Sequence, residues 1–365
     1  LGGTIWKPKP IFYRSVGESG SRDYELELKL SRPFFKSHYV TIGTEYTRNE
    51  IYEEIKQEGT DKDLTHPMDK DLDAFSIYVQ DEWQVIEPLL LVLGVRADFY
   101  SDFDNQVSPK IGFLYNLTEN TQLFGSFATA YNPPPYYQVF CPDWNMTAYI
   151  IRVKNPDLEP EKSMSYELGL RHKFFENLRA GVTGFWTEAR DLIESVSEKR
   201  QIGQTTPAGK KCYMTYEYAE NLKKARMAGV EAELEFKLGE NHKFFVNYTF
   251  LDAINKETDE RLERRPKHMG SFGYTFNWKP NSKFGCWANI RGRFMDERWL
   301  KEWGTNRKLW VDEFLVVDLS VGVDVLNHGQ VFFKVTNLFD EDYKEFTYSR
   351  YQPGRLIWGG IKLYF

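Results

Sequence analysis

The side chains in this sequence that are equipped for ligand chemistry are aromatic or cationic, and they fall in long polar stretches. Tyrosine and tryptophan offer flat faces, and arginine offers a planar guanidinium that donates two parallel hydrogen bonds. Together these groups suit a bulky, planar, anionic chelate. The candidate binding residues, from three such stretches, are Tyr136, Tyr137, Trp144, Tyr149, Arg152, Trp299, Trp303, Arg307, Phe346, Tyr348, Arg350 and Tyr351.

Enzymatic chemistry is not indicated by the sequence. The 6 histidines are scattered singly, and neither a Gly-x-Ser-x-Gly motif nor a glycine-rich phosphate loop is present. The 3 cysteines lack the spacing of metal ligands. We therefore predict no catalytic residue, no metal site and no cofactor.

Composition narrows the class of protein. The net charge of -6, without a basic run, argues against a nucleic-acid partner. Aromatic residues make up 16% of the chain, yet apolar residues are dispersed and no run reaches the length of a membrane-spanning helix. A chain of this kind that crosses a bilayer must do so as a β-barrel.

The stretches of sequence between the candidate binding residues have the pattern of amphipathic β-strands. The clearest alternates Val230, Ala232, Leu234, Phe236 and Leu238 with Glu231, Glu233, Glu235 and Lys237. The last stretch likewise places Ile357, Gly359, Ile361, Leu363 and Phe365 on one face. Period-two alternation predicts β-strands. Taken alone, such strands fit a soluble sandwich as well as a barrel.

The connections between these strands favour the barrel. Short turns at 87–88, 117–121, 176–177, 239–241, 279–283 and 326–329 alternate with longer polar stretches at 54–73, 132–161, 196–211, 252–267 and 296–312. Membrane barrels have short turns on one rim and long loops on the other. We predict an all-β, antiparallel transmembrane β-barrel of about sixteen strands over residues 1–365, with a partial strand and a loop in residues 1–21.

Several motifs resemble one known family. Asn337-Leu338-Phe339-Asp340-Glu341-Asp342-Tyr343, Pro353-Gly354-Arg355 and the terminal strand are similar to the carboxyl-terminal signature of TonB-dependent outer-membrane receptors. Upstream pieces stand in the same order as in that family, and they are Gly94-Val95-Arg96-Ala97-Asp98, Ser108-Pro109-Lys110, Asn155-Pro156-Asp157-Leu158-Glu159-Pro160-Glu161, Tyr166-Glu167-Leu168-Gly169, Asp191-Leu192-Ile193 and Gly229-Val230-Glu231. The similarity covers residues 75–365.

This resemblance implies a barrel of about 22 strands closed by an amino-terminal plug. Roughly six strands, the plug and the energy-coupling segment are then expected to precede this chain. The implied function is active uptake of a ferric siderophore-type metal chelate across the outer membrane. The implied partners are outer-membrane lipid, the chelate, and the TonB energy-coupling complex acting through the plug.

Two further expectations concern side chains of the barrel. Glu231, Glu233, Glu235, Lys237, Arg291 and Arg293 form a charged inner face, which is either a docking wall for the plug or the lining of a water-filled lumen. Cys141 and Cys212 fall in predicted extracellular connections, where a disulfide is permitted, whereas Cys286 lies on the outward face and is expected to be unpaired.

Alternatives remain open at this level. Within the family, no histidine lies between Tyr131 and Asn155, which disfavours haem, and cobalamin or another metal complex is the next candidate. Outside it, a passive porin would have an open lumen and fewer long loops. A lipid-hydrolysing barrel enzyme would require a serine and histidine pair, and none stands out.

Overall fold

The computed structural model describes residues 14–58, 64–140, 144–147, 150–205, 211–281, 283–302, 307–326, 328–345 and 351–364. Strands dominate this part of the chain. In order they are β1 (Arg14–Phe34), β2 (His38–Glu58), β3 (Leu64–Ile86), β4 (Leu89–Tyr100), β5 (Gln106–Thr118), β6 (Thr121–Asn132), β7 (Trp144–Thr147), β8 (Ile150–Arg152), β9 (Glu161–Phe175), β10 (Leu178–Thr205), β11 (Lys211–Leu238), β12 (His242–Asn255), β13 (His268–Asn281), β14 (Phe284–Met295), β15 (Arg298–Lys301), β16 (Lys308–Val311), β17 (Phe314–Val325), β18 (Gly329–Thr336) and β19 (Leu356–Leu363). A short helix, α1 (Tyr136–Val139), precedes β7.

The strands form one antiparallel meander. A 17-stranded sheet contains all of them except the β15–β16 hairpin. Within it, β9 pairs with β6 and β17 pairs with β14, so the intervening short strands are insertions in long connections. The predicted all-β antiparallel architecture of about sixteen strands is confirmed.

The two faces of the sheet differ in polarity. Ala180 lies opposite Leu234 on one face, whereas Thr183 lies opposite Glu231 on the other. On the apolar face Leu168 is 57% exposed and Val182 is 47% exposed, so no protein layer covers it. A continuous surface of such side chains suits a hydrocarbon environment. No helix in the described part of the chain is long and apolar enough to cross a membrane.

Two hairpins extend well beyond the part of the sheet that has an apolar face. β2 and β3 remain paired from His38↔Trp83 to Gln57↔Leu64, and β10 and β11 have 28 residues each. The predictions of long loops at 54–73 and 196–211, and of a loop before residue 21, are wrong for the described residues, whereas 1–13, 59–63 and 206–210 lie outside them. Beyond a membrane both faces of a strand meet water, so backbone pairing continues without apolar alternation.

Buried side chains are concentrated at this end of the sheet. Ala189, Ala225 and Ala253, on the same face as Glu231, are covered by Leu262 from the β12–β13 connection. The long connections therefore fold onto the polar face of the sheet. The short turns at the opposite end have no such cover, and Gly239 there adopts a positive φ of 61°.

Candidate functional site

The connection between β6 and β9, residues 133–160, is here called the tyrosine loop. Three prolines at 133–135 prevent β6 from continuing, and α1 follows directly. The loop then adds β8 in parallel to β11, where Ile151 lies opposite Tyr216. The Asn155 side-chain amide also donates to the Ala219 carbonyl at 2.9 Å. Backbone pairing thus holds the loop against the tall β10–β11 hairpin.

Apolar anchors fix the helix of this loop. Val139 is buried against Leu158 and Ala219, which belongs to β11. Phe140 packs both on this cluster and on Ile51 of β2. The ammonium of Lys70 also lies 4.9 Å from the Phe140 ring centroid. The tyrosine loop consequently bridges two tall hairpins across the polar face.

The exposed side chains of the tyrosine loop form an aromatic and cationic surface. Tyr136 and Tyr137 are 36% and 39% exposed, with ring centroids 6.0 Å apart in an edge-on arrangement. The Arg152 guanidinium lies 5.6 Å from the Tyr137 centroid. Its Nη2 is 3.4 Å from Oε1 of Glu217, a residue only 7% exposed. This buried carboxylate positions the guanidinium beside the tyrosine ring.

The β15–β16 hairpin, here called the tryptophan hairpin, differs from the tyrosine loop because its first tryptophan is buried. Trp299 is 8% exposed, and its indole Nε1 donates to the Arg261 carbonyl at 3.1 Å. Leu300 is buried beside it. The neighbouring Arg298 guanidinium donates to the carbonyls of Lys344 and Glu345. Burial lowers the pKa of Arg298 below its ordinary value.

Trp299 therefore does not present its ring for binding in this structure. Its indole N–H is satisfied by protein, and its flat face is covered by the Lys308 ammonium, 4.7 Å from the ring centroid. The aromatic residue of the hairpin that is exposed is Trp310, directly opposite Trp299. We assign Trp299 to the packing of the loops.

Comparison with known proteins decides the family. Residues 8–338 match the family model described as "TonB dependent receptor-like, beta-barrel". The chain belongs to this family. The predicted resemblance is thereby confirmed, and this receptor barrel lies in the outer membrane with its apolar face toward lipid and its polar face inward.

Relatives and solved structures agree with this assignment. The receptor barrel is 25% identical over 353 residues to the iron-regulated outer membrane virulence protein of Vibrio cholerae, covering 93% of this chain and 52% of that protein. It is 24% identical over 321 residues to the vitamin B12 transporter of Photobacterium profundum, covering 87% of this chain and 44% of that one. The chain spans about half the length of the curated relatives it matches.

A solved structure shows the same fold. The ferric enterobactin receptor of Pseudomonas aeruginosa superposes with a TM-score of 0.72 at 19% identity, covering 94% of this chain and 54% of that one. At this identity the similarity concerns the fold alone.

The remaining candidate residues of the receptor barrel are of two kinds, those whose side chains the structure describes and those whose side chains it does not. Arg307 and Tyr351 are exposed at the loop end, where Arg307 pairs with Glu302 at 3.2 Å and the Lys344 ammonium lies 4.4 Å from the Tyr351 ring. Trp144 lies in β7 and Cys212 in β11, but their side chains are outside the described part. Also outside the described residues are Cys141, Tyr149, Trp303, Phe346, Tyr348 and Arg350. Cys286 is free, as predicted.

The six charged wall residues of the receptor barrel lie on one face of the sheet, four on β11 and two on β14. Glu233 and Glu235 line an inner cavity of about 620 Å³ near the short turns, where Glu233 pairs with Arg171 at 3.4 Å and Glu235 with Lys243 at 2.8 Å. Glu231 and Lys237 flank them on β11. In contrast, Arg293 on β14 contacts the β18–β19 connection, pairing with Glu345 at 2.8 Å. Arg291 lies opposite Asp318 of β17.

Sequence reasoning missed three residues that build the tyrosine-loop surface. Glu217 looks like an ordinary solvated strand residue, and Phe140 and Lys70 carry no motif. Their roles arise from the parallel addition of β8 and from the crossing of the loop to β2. Neither long-range contact leaves a local signal in the sequence.

Proposed function

We propose that this chain is the barrel part of an outer-membrane receptor that takes up a ferric siderophore-type chelate. Uptake is driven by the TonB energy-coupling complex acting through a plug. The observation that carries this proposal is the surface formed by the exposed Tyr136 and Tyr137 and the half-buried Arg152, on a loop folded over the inner face of the barrel. A ligand entering the barrel from the loop end meets this surface. The chain acts in transport, with no catalytic step of its own.

The chemistry of this surface supports a planar anionic ligand. Two tyrosine rings set edge to face offer both a flat side and a polar tip. The guanidinium of Arg152 brings a positive charge and a planar set of hydrogen-bond donors to the side of the Tyr137 ring. A ferric complex with planar, negatively charged ligand groups satisfies both features. The name of the Vibrio cholerae relative, an iron-regulated outer membrane virulence protein, is consistent with the uptake of iron.

Other residues enter the proposal as further contacts. Arg307 and Tyr351 are exposed at the same end, and Trp144, Tyr149, Trp303, Phe346, Tyr348 and Arg350 complete the predicted set. A Cys141–Cys212 disulfide would tie the tyrosine loop to β11. The wall of Glu231, Glu233, Glu235 and Lys237 on β11 would dock the plug, together with Arg291 and Arg293 on β14.

The test is a binding panel on the full-length receptor extracted into detergent. Ferric complexes of catecholate and hydroxamate chelators, the iron-free chelators, and cobalamin are titrated by intrinsic fluorescence. We expect saturable binding of a ferric chelate. Tyr136→Ala/Tyr137→Ala should weaken it about 30-fold, because two aromatic contacts contribute about 1 kcal/mol each. Trp310→Ala, which removes an exposed aromatic outside the tyrosine loop, should leave affinity unchanged.

The panel also separates the alternatives. Binding of cobalamin and of no ferric chelate would replace iron uptake with the function of the vitamin B12 transporter relative. Steady ion conductance in planar bilayers, with no ligand bound, would indicate a passive porin. An equal affinity of the double variant and the wild type would remove the tyrosine loop from the binding site.

A further inference from the structure

Residues 152–159, here called the return segment, lie in the second half of the tyrosine loop and run beside β11. They contact β11 at alternate residues, which share one face of a strand. The three contacts are Arg152 with Glu217, Asn155 with Ala219, and Glu159 with Asn221. The return segment is therefore fixed at both ends and near its middle.

The last of these contacts uses the whole side-chain amide of Asn221. Its Nδ2 donates to the Glu159 carbonyl at 2.8 Å, and its Oδ1 accepts from the Glu159 amide at 2.9 Å. One side chain thus satisfies both backbone groups of Glu159. A carboxamide can do this because it carries an acceptor and two donors on one planar group. A side chain without the amide would leave both backbone groups to water.

Asn221 also reaches the point where β10 parts from β9. The pairing of these two strands ends at Arg190↔Lys162. The next residue, Asp191, has a φ of 58°, in the left-handed region that residues other than glycine seldom adopt. Its carbonyl accepts from Nδ2 of Asn221 at 2.6 Å. Asn221 therefore joins the return segment to β10 as well as to β11.

The return segment also holds the helix that carries the two exposed tyrosines. Leu158 is 5% exposed and packs against Val139 of α1. The amide of Asn155 donates to the Gln138 carbonyl, also in α1, at 2.7 Å. The segment thus lies between α1 and β11 and contacts both. A shift of the segment along β11 would displace the tyrosines and the arginine of the binding surface.

The side chain of Asn221 can be changed without disturbing apolar packing. It is polar and half-buried, whereas the apolar cluster that fixes the loop consists of Val139, Leu158 and Ala219. Replacement by alanine removes hydrogen bonds and leaves that cluster complete. The backbone of Asn221 keeps its place opposite Ile193 in the β10–β11 ladder. The effect of the side chain is therefore confined to the tyrosine loop.

We propose that Asn221 is a positioning residue for chelate binding. It holds the return segment in register on β11 and thereby places the Arg152 guanidinium beside the Tyr137 ring. Binding surfaces depend on such supporting hydrogen bonds to keep their contact residues in place. The amide of Asn221 is bonded to protein backbone, so the residue acts through Arg152 and not by touching the ligand. This inference rests on the proposed function, because it concerns the same binding surface.

The first measurement needs no ligand. Hydrogen exchange of the Asn155 amide, which donates to α1, reports the opening of the return segment in the full-length receptor in detergent. Asn221→Ala should raise the exchange rate of this amide about 25-fold, because the two hydrogen bonds to Glu159 contribute a factor of about five each.

The second measurement is chelate affinity, titrated by intrinsic fluorescence. Asn221→Ala should bind a ferric chelate about 5-fold more weakly than the wild type, which is less than the roughly 10-fold loss expected when the Arg152 contact itself is removed. In an Arg152→Lys background the same change should have no further effect, because the residue through which it acts is already altered. A residue that only stabilised the fold would weaken binding alike in both backgrounds.

Asn281→Ala is the matched control for both measurements. The Asn281 side chain accepts from the amides of Lys283 and Phe284, both at 2.9 Å, at a short turn on the opposite rim. Removing these two hydrogen bonds should leave the Asn155 exchange rate and the chelate affinity unchanged. Asn221→Asp, which keeps only the acceptor, supplies the same comparison if the alanine variant does not fold.

Three results would overturn the proposal. They are an unchanged exchange rate of the Asn155 amide, an unchanged chelate affinity of Asn221→Ala, and equal losses of affinity with and without Arg152→Lys. A wild-type receptor that binds no ferric chelate would contradict the proposed function, and the positioning role would fail with it. A wild type that binds chelate, beside an Asn221→Ala variant of equal affinity, would contradict the positioning role alone.

Discussion

The tyrosine loop and the tryptophan hairpin are both aromatic-rich connections at the same rim, yet they differ in which side chains they expose to solvent. Tyr136 and Tyr137 are more than one-third exposed, whereas Trp299 is 8% exposed. The tyrosine loop buries its aliphatic residues, Val139 and Leu158, and leaves its rings outside. The hairpin buries the Trp299 ring together with the Arg298 guanidinium and leaves the Trp310 ring outside. Aromatic content alone therefore does not distinguish a binding surface from a packing core.

The largest effect is expected for Trp299→Ala, which tests whether the buried ring stabilises the tryptophan hairpin. Removing a large buried side chain together with its hydrogen bond to Arg261 should cost the hairpin about 3 kcal/mol of local stability. The free energy of opening is measured by native-state hydrogen exchange, with the Arg264 amide as reporter because it donates to the Trp299 carbonyl at 2.7 Å. The tyrosine loop should keep its protection.

The matched control for this prediction is Trp310→Ala. Trp310 is directly opposite Trp299 in the same hairpin but is 52% exposed. Its removal should change the free energy of opening by about 0.5 kcal/mol or less. Equal effects of the two substitutions would show that the hairpin is held by its backbone pairing, and the distinction drawn from burial would fail.

A second prediction concerns the arginine of the tyrosine loop. Arg152→Lys keeps the positive charge beside the buried Glu217 but removes the planar group that lies over Tyr137. We expect chelate affinity to fall about 10-fold, because one stacked and bidentate contact of about 1.4 kcal/mol is lost. The melting temperature in detergent should stay close to that of the wild type.

Arg200→Lys is a matched control for this change. Arg200 stacks over Tyr216 at 4.8 Å and pairs with Glu198 at 2.6 Å, but it lies on the tall β10–β11 hairpin, outside the tyrosine loop. Its replacement should leave chelate affinity unchanged. If both substitutions weaken binding alike, the effect comes from the general charge of the rim, and Arg152 has no special position.

The membrane-spanning strands could be predicted from the sequence because they obey a local rule. Val230 and Glu231 must face opposite sides of a strand. Because lipid lies on one side and polar surroundings lie on the other, apolar and polar residues alternate along the sequence. The short turns and the proline-rich stretch at 133–135 are also local signals. All of these predictions are confirmed by the register of the sheet.

The rim could not be predicted in the same way. Residues 54–58 look like a loop because no face of the tall hairpins is apolar, yet the ladder continues there. Whether Trp299 is buried depends on contact with Arg261, which is 38 positions away. The Arg152–Glu217 pair depends on a parallel strand of three residues. Such contacts form only when the loops fold against one another, and the composition of each loop does not predict them.

The smallest expected effect tests whether the tyrosine loop has an electrostatic anchor. Lys70, whose ammonium lies beside Phe140, also donates to Asp102. Burial acts to raise the pKa of Asp102, but the hydrogen bonds from Lys70 and Ser101 outweigh it and hold that pKa below its ordinary value. The stabilisation is therefore present above the unfolded-state pKa of about 3.9 and is lost as pH falls through the lower folded-state pKa.

Hydrogen exchange of the Phe140 amide, which donates to the Tyr136 carbonyl at 2.8 Å, reports on this anchor. Between pH 6 and pH 3 the wild type should lose about 0.5 kcal/mol of loop stability, the magnitude typical of a partly exposed ion pair. Asp102→Asn should start lower by that amount and lose correspondingly less. The Arg264 amide should respond identically in both proteins, because the described partners of Asp102 are Lys70 and Ser101, which lie outside the tryptophan hairpin. If the Phe140 amide also responded identically in both proteins, Lys70 would hold Phe140 without help from Asp102, and the Lys70–Asp102 ion pair would not anchor the tyrosine loop.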